Sequence, residues 1–487
     1  MPTSLACLSV QRWQAQAVDL NDLSASERIE LDFTVGNFGP FRDDATLSLN
    51  ATAITEQPDN LLDSNLSKED VLSSAMVFGP NGAGKSHIID AIQILKRVVK
   101  TVDGSIPSSL YIPCRLSESC RGSPVRIRVR LIIEGLLYDY KVEYKAGEIT
   151  SESLFYYPKN RPKRVFARNG DEYVGAKKRI AAMTASGRTY LAMASLNSDP
   201  LCTKVRNAIL MDFVVLSPDL KDPAHGSCRF IEGDSWRKTA ALGVLDALDL
   251  GIDDIVCSNG QDRLVDGITT EDVFLRHRFA SSHADEEGRT IPIELESSGT
   301  QCILSLIPSL IDALENGRVL IIDDLGAHLH PMITRWIVRQ FSRDNNPHGA
   351  QLIAGTHDIG LMDTDGLLRR DQIWFVNKSR EDGASELYSL SDFNGIRKDT
   401  DVLRRYLDGR FDAVPSIKHR GGIIRTDPSP SDRRSFAPPR APCAPSRPHP
   451  PEQTPGCRRA GIPASRRSPP VSRTLSPGPS RSLSSTD

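Results

Sequence analysis

The clearest chemistry lies in Gly79, Pro80, Asn81, Gly82, Ala83, Gly84, Lys85 and Ser86, which fit the pattern G-x-x-x-x-G-K-S at every specified position. Glycines there let backbone N–H groups close around phosphates. Lys85 can bridge the β- and γ-phosphates, and the Ser86 hydroxyl can bind magnesium. Residues 75–78 read as a short buried strand before this loop. After it, Ile88, Ala91, Ile92, Leu95 and Val99 recur at helical spacing. A phosphate would therefore sit at a helix N-terminus, where free N–H groups and the helix dipole favour an anion. The pattern implies a bound nucleoside triphosphate with Mg2+.

Three further stretches could complete such a site. Residues 318–324 run through four apolar residues into Asp323 and Asp324, the form of a Walker B strand. Asp323 would hold the metal together with Ser86, and Asp324 would position the attacking water. His357, after the next apolar run, is placed to hydrogen-bond the γ-phosphate and report its presence. Residues 296–301, Glu-Ser-Ser-Gly-Thr-Gln, end 22 residues before Asp323 and open a helix. In a signature loop of this kind, Ser298 and Gly299 would offer a hydroxyl and helix N-terminal amides to the phosphate of a second subunit.

The elements that must position these groups are those of a parallel α/β sheet. The runs at 318–324 and 350–357 are buried strands separated by a helix at 333–341. Residues 31–49 alternate apolar and polar residues on either side of Gly39-Pro40 and read as two strands and a turn. Short β-rich segments from 125 to 157 suggest an antiparallel lobe. Residues 176–250 look mainly helical. We expect a loose extension at 1–30, one ATPase domain at 31–417 carrying a β lobe and helical insert at 101–295, and a tail at 418–487. The tail is rich in Pro, Ser and Arg without periodic apolar residues, so it is expected to be disordered. It reads as a product of a shifted frame or as a basic nucleic-acid tail.

Charge is unevenly spread. From Gly421 onward there are 11 Arg, no Lys and 4 acidic residues, a net of +7, so the preceding body is near −9. That body offers no global basic field for nucleic acid, and only a local patch could bind it. The nine cysteines are scattered, with no C-x-x-C pair, so neither a zinc site nor a disulfide framework is expected. Nothing resembles a signal peptide, and no apolar run approaches the ~18 residues of a membrane span. A reduced, cytoplasmic protein follows as the expectation. No heptad stretch supports the long coiled coil of a full SMC-like protein.

Taken in order, the four stretches resemble ABC-class P-loop ATPases, the group containing SMC, RecF and the OLD nucleases. A closer resemblance is to AAA-type ATPases of bacterial abortive-infection loci, described as RloA-like or AbiL-like. It is carried by residues 35–38 (Val-Gly-Asn-Phe), 79–86, 296–301, 322–331 with Leu329-His-Pro, and 356–358 (Thr-His-Asp). It continues through 369–375, 387–393 and 405–410 (Arg-Tyr-Leu-Asp-Gly-Arg). The resemblance implies ATP hydrolysis, head-to-head pairing in a homodimer driven by ATP, and a separate effector protein encoded nearby. Three positions depart from the pattern: Asp324 stands for the usual Glu, Gly326 for a common acid, and Asp412 for a favoured Gly. The shorter arm of Asp324 draws its carboxylate back by about 1 Å, a displacement that can cost on the order of 10²-fold in rate. Two alternatives therefore stand beside the switching ATPase: an ATP-gated scaffold with little turnover, and a RecF/SMC-like DNA-maintenance ATPase. The charged run Arg369-Arg370-Asp371 reads as a solvated helix end or a dimer contact.

Overall fold

The computed structural model describes residues 28–62, 70–216, 228, 230–265, 268–278, 290–362, 366–398 and 400–415. The chain divides into two units, Met1–Ile417 and Lys418–Asp487, and every described residue lies in the first. The expected tail at 418–487 and nearly all of the expected extension lie outside the described residues. The first strand already opens at Arg28, three residues before the boundary read from the sequence.

A six-stranded sheet organises the molecule. In chain order its strands are β1 (Ser74–Phe78), β2 (Phe213–Leu216), β3 (Val319–Leu325), β4 (Gln351–Thr356), β5 (Ile373–Lys378) and β6 (Ser385–Ser389). Their spatial order is β2-β3-β4-β1-β5-β6, parallel throughout except for the antiparallel last pair. Every residue of β1 is buried, as a central parallel strand covered on both faces requires. Its side chains alternate between two cores. Ala75 and Val77 face one cluster, while Met76 and Phe78 face the other.

Helix α1 (Lys85–Lys100) leaves the phosphate loop and lies between this sheet and a seven-stranded antiparallel one. The second sheet has the order Glu172–Val174, Lys163–Asn169, Glu148–Tyr156, Leu136–Lys145, Val125–Ile133, Arg28–Gly36, Ala45–Ser48. Ile88, Ala91, Ile92, Leu95 and Val99 of α1 are all buried, which satisfies the helical period read from the sequence. Later in the chain come α2 (Ser235–Ala247), α3 (Ser298–Asn316) and α4 (Pro331–Arg339). Leu306 and Leu310 of α3 and Ile337 and Val338 of α4 cover the other face of the sheet. A third core joins α2 and the opposite stripe of α3 to an antiparallel trio, Ile252–Val265, Ile268–His277 and Thr290–Pro292.

Within 176–250 the expectation of helix misses β2, a four-residue edge strand paired to Walker B. The expectation about cysteines is also corrected. Cys228 and Cys257 form a disulfide with Cα atoms 5.8 Å apart, tying residue 228 to the first strand of the long hairpin in the third core. Burial of both chain segments against one apolar cluster brings together two cysteines that no local motif links.

Candidate nucleotide site

The phosphate loop is shaped by what lies against it. A Cβ on Gly79 would sit 2.3 Å from the Val376 carbonyl oxygen of β5, so strand packing excludes any larger residue. Gly84 caps α1 with φ of 120°, and a Cβ there would meet Pro40 Cγ at 2.9 Å. Pro40 belongs to the turn between the first two strands of the antiparallel sheet. Its carbonyl accepts the Ser385 N–H at 2.9 Å, and the Ser385 hydroxyl donates to the Ala83 carbonyl at 2.5 Å. Asn37, with φ of 50°, fixes that turn by donating to the carbonyls of Cys120, Ser123 and Pro124 at 2.9–3.1 Å. Asn81, Gly82 and Ser86 are exposed at the loop's mouth, while Ala83 and Lys85 are buried.

Lys85 reaches across to the neighbouring strands. Its Nζ donates to the Gly79 carbonyl and contacts His357 Nε2, both at 2.9 Å. His357 Nε2 in turn lies 3.8 Å from Asp324 Oδ1. Burial lowers the Lys85 pKa, opposed by the carboxylates of Asp324 and Asp323. Burial, followed by the Lys85 charge, also lowers the His357 pKa, so its imidazole is neutral near pH 7. A neutral ring that accepts from an ammonium at Nε2 carries its proton on Nδ1.

The paired acids arrive on an irregular strand end. The β3–β4 register shifts between Ile322 and Leu325, and Asp324 adopts a left-handed φ of 52°. Such a bulge turns consecutive side chains toward one edge of the sheet. Asp323 is mostly buried, and burial raises its pKa, opposed chiefly by a hydrogen bond from the Ser86 hydroxyl. Its Oδ1 is enclosed with no donor in reach. An orphaned carboxylate oxygen beside a serine hydroxyl is a donor set suited to a hard divalent cation such as Mg2+. Gly355 of β4 leaves room for it, since a Cβ there would lie 3.2 Å from that oxygen.

The structure thus brings together Lys85, Ser86, Asp323, Asp324 and His357 around the mouth of the glycine loop. Ser298 and Gly299 stand apart from them. Among the described residues no hydrogen bond or ion pair joins either to that cluster. Ser297 caps α3, accepting the Thr300 N–H at 3.1 Å, and Ser298 is exposed at the helix start. Gly299 packs against the loop after Walker B, where a Cβ would meet the His328 carbonyl oxygen at 3.0 Å. Glu296 is held by His277 at 2.6 Å.

The run Arg369-Arg370-Asp371 is neither solvated nor at a free surface. Arg369 is fully buried, paired with Asp371 at 2.9 Å and donating to the carbonyls of Ile54 and Glu56 at 2.9 and 2.8 Å. Asp371 accepts the Thr52 N–H and hydroxyl at 2.9 and 2.8 Å, and Arg370 pairs with Glu56 at 3.0 Å. The run clamps residues 52–56 onto the start of β5. Its partners lie more than 300 residues away in sequence, so no local pattern announces it.

Residues 242–363 match the profile of the family described as "AAA domain, putative AbiEii toxin, Type IV TA system". The matched stretch holds Ser298, Gly299, Asp323, Asp324 and His357 and begins after the phosphate loop. No curated protein matches the chain in sequence. Among solved structures, it is similar to the SMC head domain from Thermotoga maritima, at 14% identity and TM-score 0.38 over 74% of this chain and 98% of that one. It is similar to SmcHead bound to the C-winged helix domain of ScpA, at 13% identity and TM-score 0.41 over 74% and 97%. A third is the Smc head domain with an extended coiled coil bound to the C-terminal domain of ScpA, derived from Pyrococcus furiosus, at 12% identity and TM-score 0.36 over 79% and 99%. Among the described residues no helix is long and apolar enough to cross a membrane. Residues 242–363 are thus similar to an AAA domain, and the phosphate loop lies upstream of that stretch on the same parallel α/β sheet.

Proposed function

We propose that this protein hydrolyses ATP to ADP and phosphate and uses the cycle to open and close a homodimer, as the ATPase of a bacterial abortive-infection system. The observation that carries the ATPase reading is the convergence of Lys85, His357 and Asp324, with contacts of 2.9 and 3.8 Å, beside Ser86 and the orphaned Asp323 oxygen. In this reading the loop amides and Lys85 hold the β- and γ-phosphates. Asp324 orients the attacking water and accepts its proton, while His357 senses the γ-phosphate. Bound Mg2+, held by Ser86 and Asp323, would neutralise charge that builds on the phosphates. The exposed Ser298 and the amides opening α3 would close on the nucleotide of a second copy. The defence role is supported by the family description over residues 242–363 and by the motifs at 369–375, 387–393 and 405–410.

A second reading is favoured by Asp324 itself. Its short arm, on a left-handed backbone position, suits an ATP-gated scaffold that binds nucleotide and a separate effector but barely turns over. Phosphate release measured on wild type, Lys85→Ala and Asp324→Glu separates the two. The switching ATPase requires readily measured wild-type turnover, abolished by Lys85→Ala and not increased by Asp324→Glu. A gain of about tenfold or more from Asp324→Glu would transfer the assignment to the scaffold.

A further inference from the structure

The carboxyl end of the ATPase domain carries a groove that the nucleotide site does not use. It has a volume of about 890 Å³, and its lining includes Phe393, Ile396, Thr400 and Phe411. Arg397, Arg404, Arg405 and Arg410 stand on its walls, and all four are exposed. Among the described residues, no carboxylate lies within ion-pair distance of any of the four guanidinium groups. Among the described residues, two acids line the groove. Asp401 is occupied in capping helix α5 (Val402–Leu407), accepting the Arg404 N–H at 2.8 Å, which leaves Asp408. Four exposed guanidinium groups with no carboxylate partner among the described residues form a local positive patch on a body with a charge near −9, and such a patch attracts an anion.

The walls are held firmly. The Tyr406 hydroxyl donates to the Ala413 carbonyl at 2.9 Å and the Tyr388 hydroxyl to the Phe411 carbonyl at 2.6 Å. Phe411 stacks on Phe375 at 5.2 Å and meets the half-buried Phe393 edge-on at 5.1 Å. Arg370, from the buried clamp, donates to the Ile396 carbonyl beside Arg397. The outcome is a groove edged by the half-buried Phe393 ring, with guanidinium groups around it. Planar guanidinium groups bind phosphate bidentately and stack on π-faces, so both parts of a nucleotide find partners here. A cavity of this size lies within the range of small-ligand sites.

We propose that this groove is a second nucleotide-binding site, taking a ligand of one to three nucleotides through its phosphates at Arg397, Arg404, Arg405 and Arg410. The test is fluorescence anisotropy of a 5′-phosphorylated, fluorescein-labelled DNA trinucleotide on the full chain carrying Lys85→Ala, which disables the phosphate loop without adding a competing nucleotide. Saturable binding is expected. Arg404→Gln/Arg405→Gln should weaken it about tenfold or more, and Asp408→Asn, which removes the opposing charge, should tighten it about threefold. Because Asp408→Asn is read as a gain, the proposal stays exposed even if the arginine variant folds poorly. Absence of binding up to about 1 mM, or binding indifferent to both variants, overturns it. So does a strand of about 20 nucleotides competing tenfold better per mole than the trinucleotide, which would reassign the groove to nucleic acid. Equal competition by inorganic tripolyphosphate would also overturn it, by showing that no base is recognised.

Discussion

Replacing Gly355 with alanine tests whether Asp323 is a metal ligand, because it touches the carboxylate without changing it. An added Cβ would lie 3.2 Å from Asp323 Oδ1, 3.6 Å from Ile89 Cδ1 and 3.7 Å from Lys85 Cβ, against 3.4 Å for ordinary contact. The two carbon contacts are already comfortable. Relief must therefore come from the carboxylate, which has to move a few tenths of an ångström and gains a methyl group over its unpartnered oxygen. Outer-shell changes at metal sites typically weaken affinity about 10–100-fold, and a shift this small belongs at the lower end, near tenfold. Alanine also recovers about 0.5–1 kcal/mol of the backbone entropy that glycine costs in a strand. Stability should accordingly stay within about 1 kcal/mol of wild type. The assay is a magnesium titration of phosphate release at fixed ATP, with a thermal melt on the same preparation. Half-saturating magnesium unchanged within about twofold would refute the assignment of Asp323 Oδ1 to the metal. A melt lowered by many degrees would refute the claim that the carboxylate, not the core, yields.

Two buried charges give further predictions. Glu152 is enclosed and accepts the N–H groups of Tyr190 and Leu191 at 2.6 and 2.9 Å and the Tyr140 hydroxyl at 3.0 Å, with burial raising its pKa from 4.5 to about 7. The folded state thus binds the proton more tightly than the unfolded one. The stability this confers is full below about pH 4.5 and lost as pH rises through about 7, by roughly 3 kcal/mol. Denaturant unfolding of wild type and Glu152→Gln from pH 4.5 to about 8 should show wild type losing 2–3 kcal/mol relative to the variant; parallel curves would dismiss the linkage. Arg369→Met should cost about 3–5 kcal/mol by leaving Asp371 charged and enclosed, and adding Asp371→Leu should restore a large part. A single-variant loss below about 1 kcal/mol would show that the clamp does not hold β5.

The parts of the site readable from sequence are those whose chemistry is encoded within one strand–turn–helix. The run from Ala75 to Val99 carries its strand, its glycines and its helical stripe in consecutive residues, and each folds as read. Asp323, Asp324 and His357 were legible because each follows an apolar run that must be a buried strand. What was hidden depends on distant partners. Gly355 looks like an ordinary strand glycine until Asp323 is placed beside it. Arg369 reads as surface charge because its carbonyl partners belong to residues 54 and 56. Cys228 and Cys257, 29 residues apart, meet only through a shared apolar core. The β2 strand is too short at four residues for alternation to be seen.

The contact between Pro40 and Gly84 bears on how portable the eight-residue motif is. Half of its mould comes from distant parts of the chain: Pro40 beneath Gly84 and Asn37 bracing the turn from behind, both between strands of the antiparallel sheet, and Ser385 of β6 beneath Ala83. A chimaera that transplanted Gly79–Ser86 alone would carry the letters of the motif without the anvil against which they are bent. Gly39 lies directly against the His87 ring, and so the donor cassette would have to include residues 37–41 as well.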